Sequence, residues 1–177
     1  MKARAFIAVG SNISPEENVR AALLALARQE QIVAVSTIYR TKPEGQPDQP
    51  DFYNCVVEIK TEKTPEVLKY QVLRRIEAGL GRQRTSDKFA PRTIDLDLML
   101  YDNLVLDTDR IVLPDPEIAS RPFLAACLSE LAPDLMLPGT TSRVAELCAC
   151  LPQDNMRALA DYTARIKSDL YLLGRGC

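Results

Sequence analysis

Hydrophobic residues recur along this chain either at the spacing of a strand or at the spacing of a helix, and the changes between the two spacings predict where each strand and helix begins and ends. Short apolar runs with β-branched residues predict strands over residues 5–9, 32–39 and 52–59, the last continuing to about residue 61. Between the first two, apolar residues recur at helical spacing behind Ser14-Pro15-Glu16-Glu17. That tetrapeptide predicts a capping box with proline at the first helical position.

A further helix and further strands are predicted after residue 61. Thr64-Pro65 opens a predicted helix that Gly81 ends, with apolar residues at every fourth position between them. A polar loop over 82–91 leads into a strand over 93–101, and a short strand over 104–106 is expected to form a hairpin with it. The order strand-helix-strand-strand-helix-strand predicts the ferredoxin-like βαββαβ arrangement, an α+β fold with an antiparallel sheet covered by helices.

Helices are also predicted over 121–131 and 142–151, and no repeat or linker divides the chain. The length of 177 residues predicts one domain with a substantial core. Its functional part is expected to span 1–153, and 154–177 is left as a C-terminal tail without assigned function.

The most informative stretch is the predicted strand over 93–101, which places Asp95 and Asp97 two residues apart in an apolar run. Residues i and i+2 of a strand share a face, so the carboxylates are adjacent. Ile94, Leu96, Leu98 and Leu100 should line the opposite face, and Met99 and Tyr101 the acidic one. Two adjacent carboxylates suit Mg²⁺, which combines one or two of them with water and phosphate oxygens. A solvated strand face is the alternative.

A basic segment precedes this strand and favours a phosphate ligand. Residues 74–92 carry a net charge of +4 in a chain of net charge −2. A helix end explains Arg82, but Arg84, Lys88 and Arg92 lie beyond the helix. Arginine binds phosphate in a bidentate fork, so the segment and the acidic strand together suit a polyphosphate with its metal ion.

Composition excludes several classes of protein. The absence of histidine removes Ser-His-Asp and Cys-His nucleophiles, and neither a Walker nor a Rossmann glycine motif is present. Near-neutral charge argues against broad nucleic-acid binding, and no apolar run is long enough for a membrane span. Five cysteines, an odd number, favour reduced thiols in the cytoplasm. We expect a cytoplasmic monomer.

Several motifs, in order, give the chain a family resemblance. They are Gly10-Ser-Asn12, Ser36-Thr-Ile-Tyr-Arg-Thr-Lys-Pro-Glu-Gly45, Gln49-Pro-Asp-Phe-Tyr-Asn54, Ile76-Glu77, Leu80-Gly-Arg82, Ala90-Pro-Arg-Thr-Ile-Asp-Leu-Asp97, Pro114-Asp-Pro116, Arg121-Pro-Phe123 and Ala132-Pro133. The chain resembles the 6-hydroxymethyl-7,8-dihydropterin pyrophosphokinases of folate biosynthesis over about three quarters of its length. The segment around Arg92, Asp95 and Asp97 is the most specific part.

The resemblance implies transfer of pyrophosphate from the co-substrate ATP to the hydroxymethyl group of the reduced pterin, with release of AMP. It implies that Asp95 and Asp97 hold two Mg²⁺ ions and that Arg82 and Arg92 clamp the phosphates. The remaining residues implied for the ATP site are Glu77, Arg84, Lys88, Leu98, Arg110, Ile111, Asp115 and Arg121.

The resemblance also implies a pterin site in which Phe89 and Phe123 sandwich the ring and Asn54 reads its polar edge. The matching loop and wall positions are Thr41, Pro43, Glu44, Gly45 and Phe52.

This chain departs from the family where Asp115 replaces the usual histidine of Pro-His-Pro. We expect Asp115 to pair with Arg110 or Arg121. The departure leaves open a pterin- or nucleotide-binding module that has lost catalysis. An RNA-binding ferredoxin-like domain is a further alternative, which would need exposed stacking aromatics, whereas aromatics are 6% of the chain.

Overall fold

A six-stranded sheet organises the computed structural model, which describes residues 1–43, 48–83, 87 and 90–174. The strands are β1 (Ala3–Ser11), β2 (Gln31–Val35), β3 (Tyr39–Thr41), β4 (Phe52–Thr61), β5 (Asp95–Tyr101), β6 (Leu106–Asp107), β7 (Val112–Leu113) and β8 (Met156–Ala158). The α-helices are α1 (Pro15–Ala27), α2 (Pro65–Val67), α3 (Arg74–Gly79), α4 (Pro122–Leu131), α5 (Val144–Cys150) and α6 (Ala160–Gly174). A π-helical turn (Leu68–Leu73) joins α2 to α3, and a 3₁₀ turn (Pro116–Ala119) precedes α4.

The sheet is antiparallel throughout, which confirms the predicted α+β fold. Its order is β5-β1-β4-β3-β8, with β2 also paired to β4. The predicted hairpin between 104–106 and the acidic strand is wrong, because β6 pairs with β7 in a separate two-stranded sheet. Within the described ranges, no helix is both long enough and apolar enough to cross a membrane.

The helices that cover the sheet follow the predicted apolar spacing. Residues Val19, Ala22, Leu23 and Leu26 of α1 are all buried. The predicted capping box is wrong, because Ser14 adopts a left-handed conformation and its side chain makes no capping hydrogen bond. Thr64 does cap the second helical segment, since its hydroxyl accepts a hydrogen bond from the Val67 amide.

The predicted strand over 32–39 is interrupted, and the interruption changes which residues face the two sides of the sheet. Val35 pairs with Val57, whereas Tyr39 pairs with Asn54, so the β2–β3 side contains one more residue than β4. An extra residue inverts the alternation of side chains. Val35 therefore lies in the core beneath α1, whereas Tyr39 packs against the core beneath α4.

A second irregularity occurs in β5. Phe6 pairs with Leu100 and Ile7 with Leu98, which leaves Met99 as the extra residue of a bulge. Leu100 consequently packs with Met99 beneath α4, and Tyr101 packs on the opposite core. The expectation that Leu100 shares a face with Leu98, and Tyr101 with the acids, is wrong for this reason.

The C-terminal part of the chain completes the sheet. Strand β8 pairs with β3, and α6 packs against α1. Tyr162 and Ile166 of α6 belong to the same core as the buried face of α1. Residues beyond 153 are therefore integrated into the same layered structure as the rest of the chain.

Candidate functional site

A cavity of about 780 Å³ lies on the face of the sheet that carries α4. Strand alternation determines which side chains line it, because every second residue of β1, β4 and β5 projects toward this face. The bulge before β3 brings Thr41 to the same face. Of the candidate site residues, those that line the cavity are Thr41, Pro43, Phe52, Asn54, Arg92, Asp95, Asp97, Asp115, Arg121 and Phe123.

Asp95 is surrounded by arginine side chains at one end of the cavity. It forms ion pairs with Arg82 and Arg92, and Arg82 also donates to the Ile94 carbonyl. Burial alone would raise the pKa of Asp95, but the two guanidinium groups hold it below its ordinary value. The residues that we assigned to phosphate and metal are thus adjacent in the structure.

Glu77 contacts Arg82 and β5 from the side of the sheet opposite the cavity. Its carboxylate pairs with Arg82 at 2.6 Å and with Arg74 at 3.1 Å, and it accepts a hydrogen bond from the Leu96 amide at 2.9 Å. Burial raises the pKa of Glu77. Glu77 therefore orients Arg82 from α3 toward β5, and it lies outside the cavity.

Asp97 lies on the same face without comparable compensation. Burial raises its pKa, and the charge of Asp95 raises it further, while Lys69 and Arg74 act in the opposite direction. A cation between the two carboxylates would relieve that repulsion. Within the described ranges, no group of three or more His, Cys, Asp or Glu is placed to hold a metal. Two carboxylates with room for phosphate and water nevertheless fit Mg²⁺.

The other end of the cavity holds residues that the family resemblance assigns to the pterin ring. Asn54 is 7% exposed, and its amide nitrogen donates to the Thr41 hydroxyl at 2.7 Å. A Cβ at Gly10 would lie 2.5 Å from the Asn54 Oδ1. The contact with Thr41 orients the amide, and Gly10 leaves it the space it needs. The Arg92 guanidinium lies 5.9 Å from the centre of the Phe52 ring.

The Gly10-Ser11-Asn12 sequence connects both ends of the site. The Ser11 hydroxyl donates to the Thr93 carbonyl at 2.5 Å. The Asn12 side chain accepts from the Arg92 amide at 2.8 Å and donates to Gln49 at 3.1 Å. On sequence grounds this motif contributed only to the family resemblance, and no role in the site was predicted for it. Its polar side chains directly after an apolar strand are the signal that could have indicated one.

The predicted ion pair of Asp115 with Arg110 or Arg121 is wrong. The Asp115 carboxylate accepts from the Glu117 amide at 2.8 Å and so caps the 3₁₀ turn. Arg121 pairs with Glu117 at 2.8 Å, and the Arg110 guanidinium lies over the Tyr70 ring at 4.8 Å. The capping hydrogen bond fixes Asp115 at the cavity wall.

Several candidate residues lie elsewhere. Leu98 and Ile111 are 3% and 2% exposed in the core beneath α1, and Arg110 lies near Tyr70, outside the cavity. The candidates Glu44, Gly45, Arg84, Lys88 and Phe89 lie outside the described residues.

Comparison with known proteins gives several matches. The model of the 7,8-dihydro-6-hydroxymethylpterin-pyrophosphokinase (HPPK) family matches residues 6–133. The chain is 40% identical over 139 residues to the 2-amino-4-hydroxy-6-hydroxymethyldihydropteridine pyrophosphokinase of Haemophilus influenzae, covering 77% of this chain and 86% of that protein. It is 38% identical over 159 residues to the Pseudomonas aeruginosa protein of the same name, covering 88% and 96%.

Solved structures show the same fold. An HPPK-DHPS chain of Plasmodium falciparum with pteroate superposes with a TM-score of 0.70 at 12% identity, covering 89% of this chain and 48% of that one. An HPPK-DHPS chain in complex with substrates gives 0.67 at 11% identity, covering 85% and 43%. This chain therefore spans less than half of those longer chains.

Proposed function

The chain belongs to the HPPK family, and on that premise we propose that it transfers pyrophosphate from ATP to the hydroxymethyl group of 6-hydroxymethyl-7,8-dihydropterin in folate biosynthesis. The relatives named above as pyrophosphokinases are matched over most of their own length. We propose that the reaction is Mg²⁺-dependent, uses two ions and releases AMP.

One observation carries this proposal. A single cavity contains a carboxylate pair with arginines at one end and an oriented amide with phenylalanine rings at the other. The first arrangement suits a metal-bound polyphosphate, and the second suits a flat heterocycle with hydrogen-bonding edges. A cavity with both ends can align a hydroxyl group with a phosphorus atom.

Positioning and electrostatics supply the catalysis in this proposal. Mg²⁺ held by Asp95 and Asp97 would neutralise triphosphate charge and polarise the reacting phosphoryl group. Arg82 and Arg92 both pair with Asp95, and phosphate oxygens of bound ATP would replace the carboxylate as their partner. Glu77 keeps Arg82 near β5 during such an exchange. In a loose phosphoryl-transfer transition state the bond to AMP breaks as the hydroxyl oxygen bonds to the β-phosphorus, and the hydroxyl proton can pass to water without a histidine base.

At the ring end, Asn54 would recognise the polar edge of the pterin. Because its nitrogen donates to Thr41, its oxygen is oriented by the same contact. Phe123 lines the cavity from α4 and would stack on the ring, while Phe52 would close the wall beside it. We further propose a cytoplasmic monomer, and the free cysteines among the described residues support a reducing compartment.

The decisive experiment is AMP formation from MgATP with and without 6-hydroxymethyl-7,8-dihydropterin. We expect AMP to form with the pterin, in equal amount to pyrophosphorylated pterin, and to be negligible without it. Tight binding of both substrates without AMP would instead support the module that has lost catalysis. Binding of neither substrate would contradict the proposal.

A further inference from the structure

One wall of the cavity comes from the C-terminal part of the chain, beyond the stretch of 6–133 that the family model matches. Pro152, Asp154, Asn155 and Met156 line it, directly before and at the start of β8. No role was predicted for these residues from the sequence, because the chain resembles the family only weakly from about residue 154 onward.

The strand register shows which side chain of β8 belongs to the cavity face. Met156 pairs with Thr41, and Arg157 pairs with Arg40. Directly opposed residues of an antiparallel pair project to the same face. Thr41 is the acceptor for the Asn54 amide, so Met156 lies on the ring side of the cavity. Arg157 projects to the other face.

The sheet order separates this wall from the phosphate end. The carboxylates Asp95 and Asp97 lie on β5, at one edge of the sheet, and β8 lies at the other edge. Four strand spacings separate the two edges, which is roughly 19 Å. A side chain of β8 on the cavity face therefore lies nearer to Thr41 and Asn54 than to the carboxylate pair.

The segment is held in place from both sides. The Leu159 amide donates to the Ile38 carbonyl at 2.9 Å, and the Ile38 amide donates to the Thr163 hydroxyl at 2.9 Å. The Tyr162 hydroxyl donates to the Glu16 carbonyl at 2.5 Å and ties α6 to α1. Such anchoring gives β8 a defined position relative to Thr41.

We infer that Pro152, Asp154, Asn155 and Met156 form the outer wall of the ring-binding end and that Met156 packs against the bound pterin and contributes to its affinity. This inference rests on the proposed function. Met156 is half-buried, and its flexible, polarizable thioether suits contact with a flat heterocycle. The wall is a property of the C-terminal strand of this chain rather than of the segment that the family model matches.

The test is a calorimetric titration of four proteins, the wild type, Met156→Ala, Met156→Leu and Arg157→Ala. Each is titrated with 6-hydroxymethyl-7,8-dihydropterin in the presence of a non-hydrolysable MgATP analogue, and separately with the analogue alone. We expect Met156→Ala to weaken pterin binding about tenfold, because apolar contact in a pocket is lost. Met156→Leu should stay within about threefold, and Arg157→Ala should match the wild type.

The analogue is the internal control. Its affinity should be the same in all four proteins, because β8 is remote from β5. Equal pterin affinity of Met156→Ala and Arg157→Ala would overturn the inference, as would an equal loss of affinity for both ligands. The AMP assay tests the proposed function separately. A wild type that binds the pterin but forms no AMP would contradict the catalytic proposal, and the titration of Met156→Ala would still test the contact with the pterin.

Discussion

At the scale of single residues, two neighbouring carboxylates have opposite environments. Asp95 is paired with two arginines, and its pKa is lowered in spite of burial. Asp97 has a raised pKa because burial and the charge of Asp95 both disfavour its ionised form. The arginine partners of Asp95 therefore stabilise its ionised form. The ionised form of Asp97 is stabilised only when a cation lies nearby.

Asp97→Ala should remove most of the turnover and leave the protein folded. Loss of one metal ligand leaves the triphosphate charge poorly neutralised, which costs on the order of several kcal/mol in the transition state and more than a hundredfold in kcat. AMP formation at saturating Mg²⁺ measures the change. The exposed Asp109→Ala is the matched control, and near-normal turnover of Asp97→Ala would contradict the assignment.

Gly10→Ala should weaken pterin binding about tenfold, which corresponds to about 1.4 kcal/mol. The added Cβ would lie 2.5 Å from the Asn54 Oδ1, and the amide would have to turn away from Thr41. The Gly10 backbone is not left-handed, so alanine is tolerated there in other respects. Calorimetric titration with the pterin measures the loss.

A double-mutant cycle tests the cause of that loss. In an Asn54→Ala background, Gly10→Ala should have almost no further effect, because the amide that it displaces is absent. The same tenfold loss in both backgrounds would show that Gly10 acts independently of Asn54. Affinity for a MgATP analogue should not change in any of these variants.

Asp115→Asn should raise the unfolding temperature at neutral pH. Burial raises the pKa of Asp115 above the unfolded value of about 3.9. The unfolded chain therefore releases this proton first as pH rises, and the unfolding free energy falls through the window between the two pKa values. The difference between wild type and variant should vanish at pH below that window. Asparagine can still accept the hydrogen bond from Glu117.

At the scale of elements, the interruption between β2 and β3 is stabilised by side chains. The Thr37 amide donates to the Glu130 carboxylate at 2.7 Å, and the Ile38 amide donates to the Thr163 hydroxyl at 2.9 Å. The Ser36 hydroxyl accepts from the Val56 amide at 3.0 Å. Elements α4 and α6 thus supply the acceptors that the ladder lacks, and the bulge can present Thr41 to the cavity.

Thr163→Val should lower the unfolding free energy by about 1–3 kcal/mol, since it leaves the buried Ile38 amide without an acceptor. Threonine and valine side chains have similar shapes, so the packing around residue 163 changes little. Urea denaturation measures the loss, and the exposed Ser168→Ala on the same helix is the control. An unchanged midpoint for Thr163→Val would show that water or another group satisfies the amide.

At the scale of the whole molecule, substrate and metal should stabilise the fold together. A non-hydrolysable MgATP analogue at about 100 times its Kd adds roughly 2.7 kcal/mol to the unfolding free energy. For a chain of this size that corresponds to roughly 5–10 °C in Tm. Excess EDTA, or Asp97→Ala, should remove most of the increase. An analogue that stabilises equally with and without Mg²⁺ would contradict a metal held by the carboxylate pair.

The sequence by itself determined the main elements and the face of the acidic pair. Apolar spacing located α1, the helical segment from Thr64 to Gly81 and β5, because burial imposes periods of 3.6 and 2 on the residues that pack. The i, i+2 spacing of Asp95 and Asp97 placed both on one face, and the structure shows both lining the cavity. These features depend on local geometry, which a linear pattern records.

Tertiary structure alone decided the rest. The bulges at Met99 and before Tyr39 invert the alternation, so Leu100 and Thr41 face the cavity side through pairing with other strands. The position of Met156 on the cavity face depends on the register of β8 with β3. Register and bulges are set by the balance of packing and hydrogen bonds across the whole sheet. No period in the sequence encodes that balance.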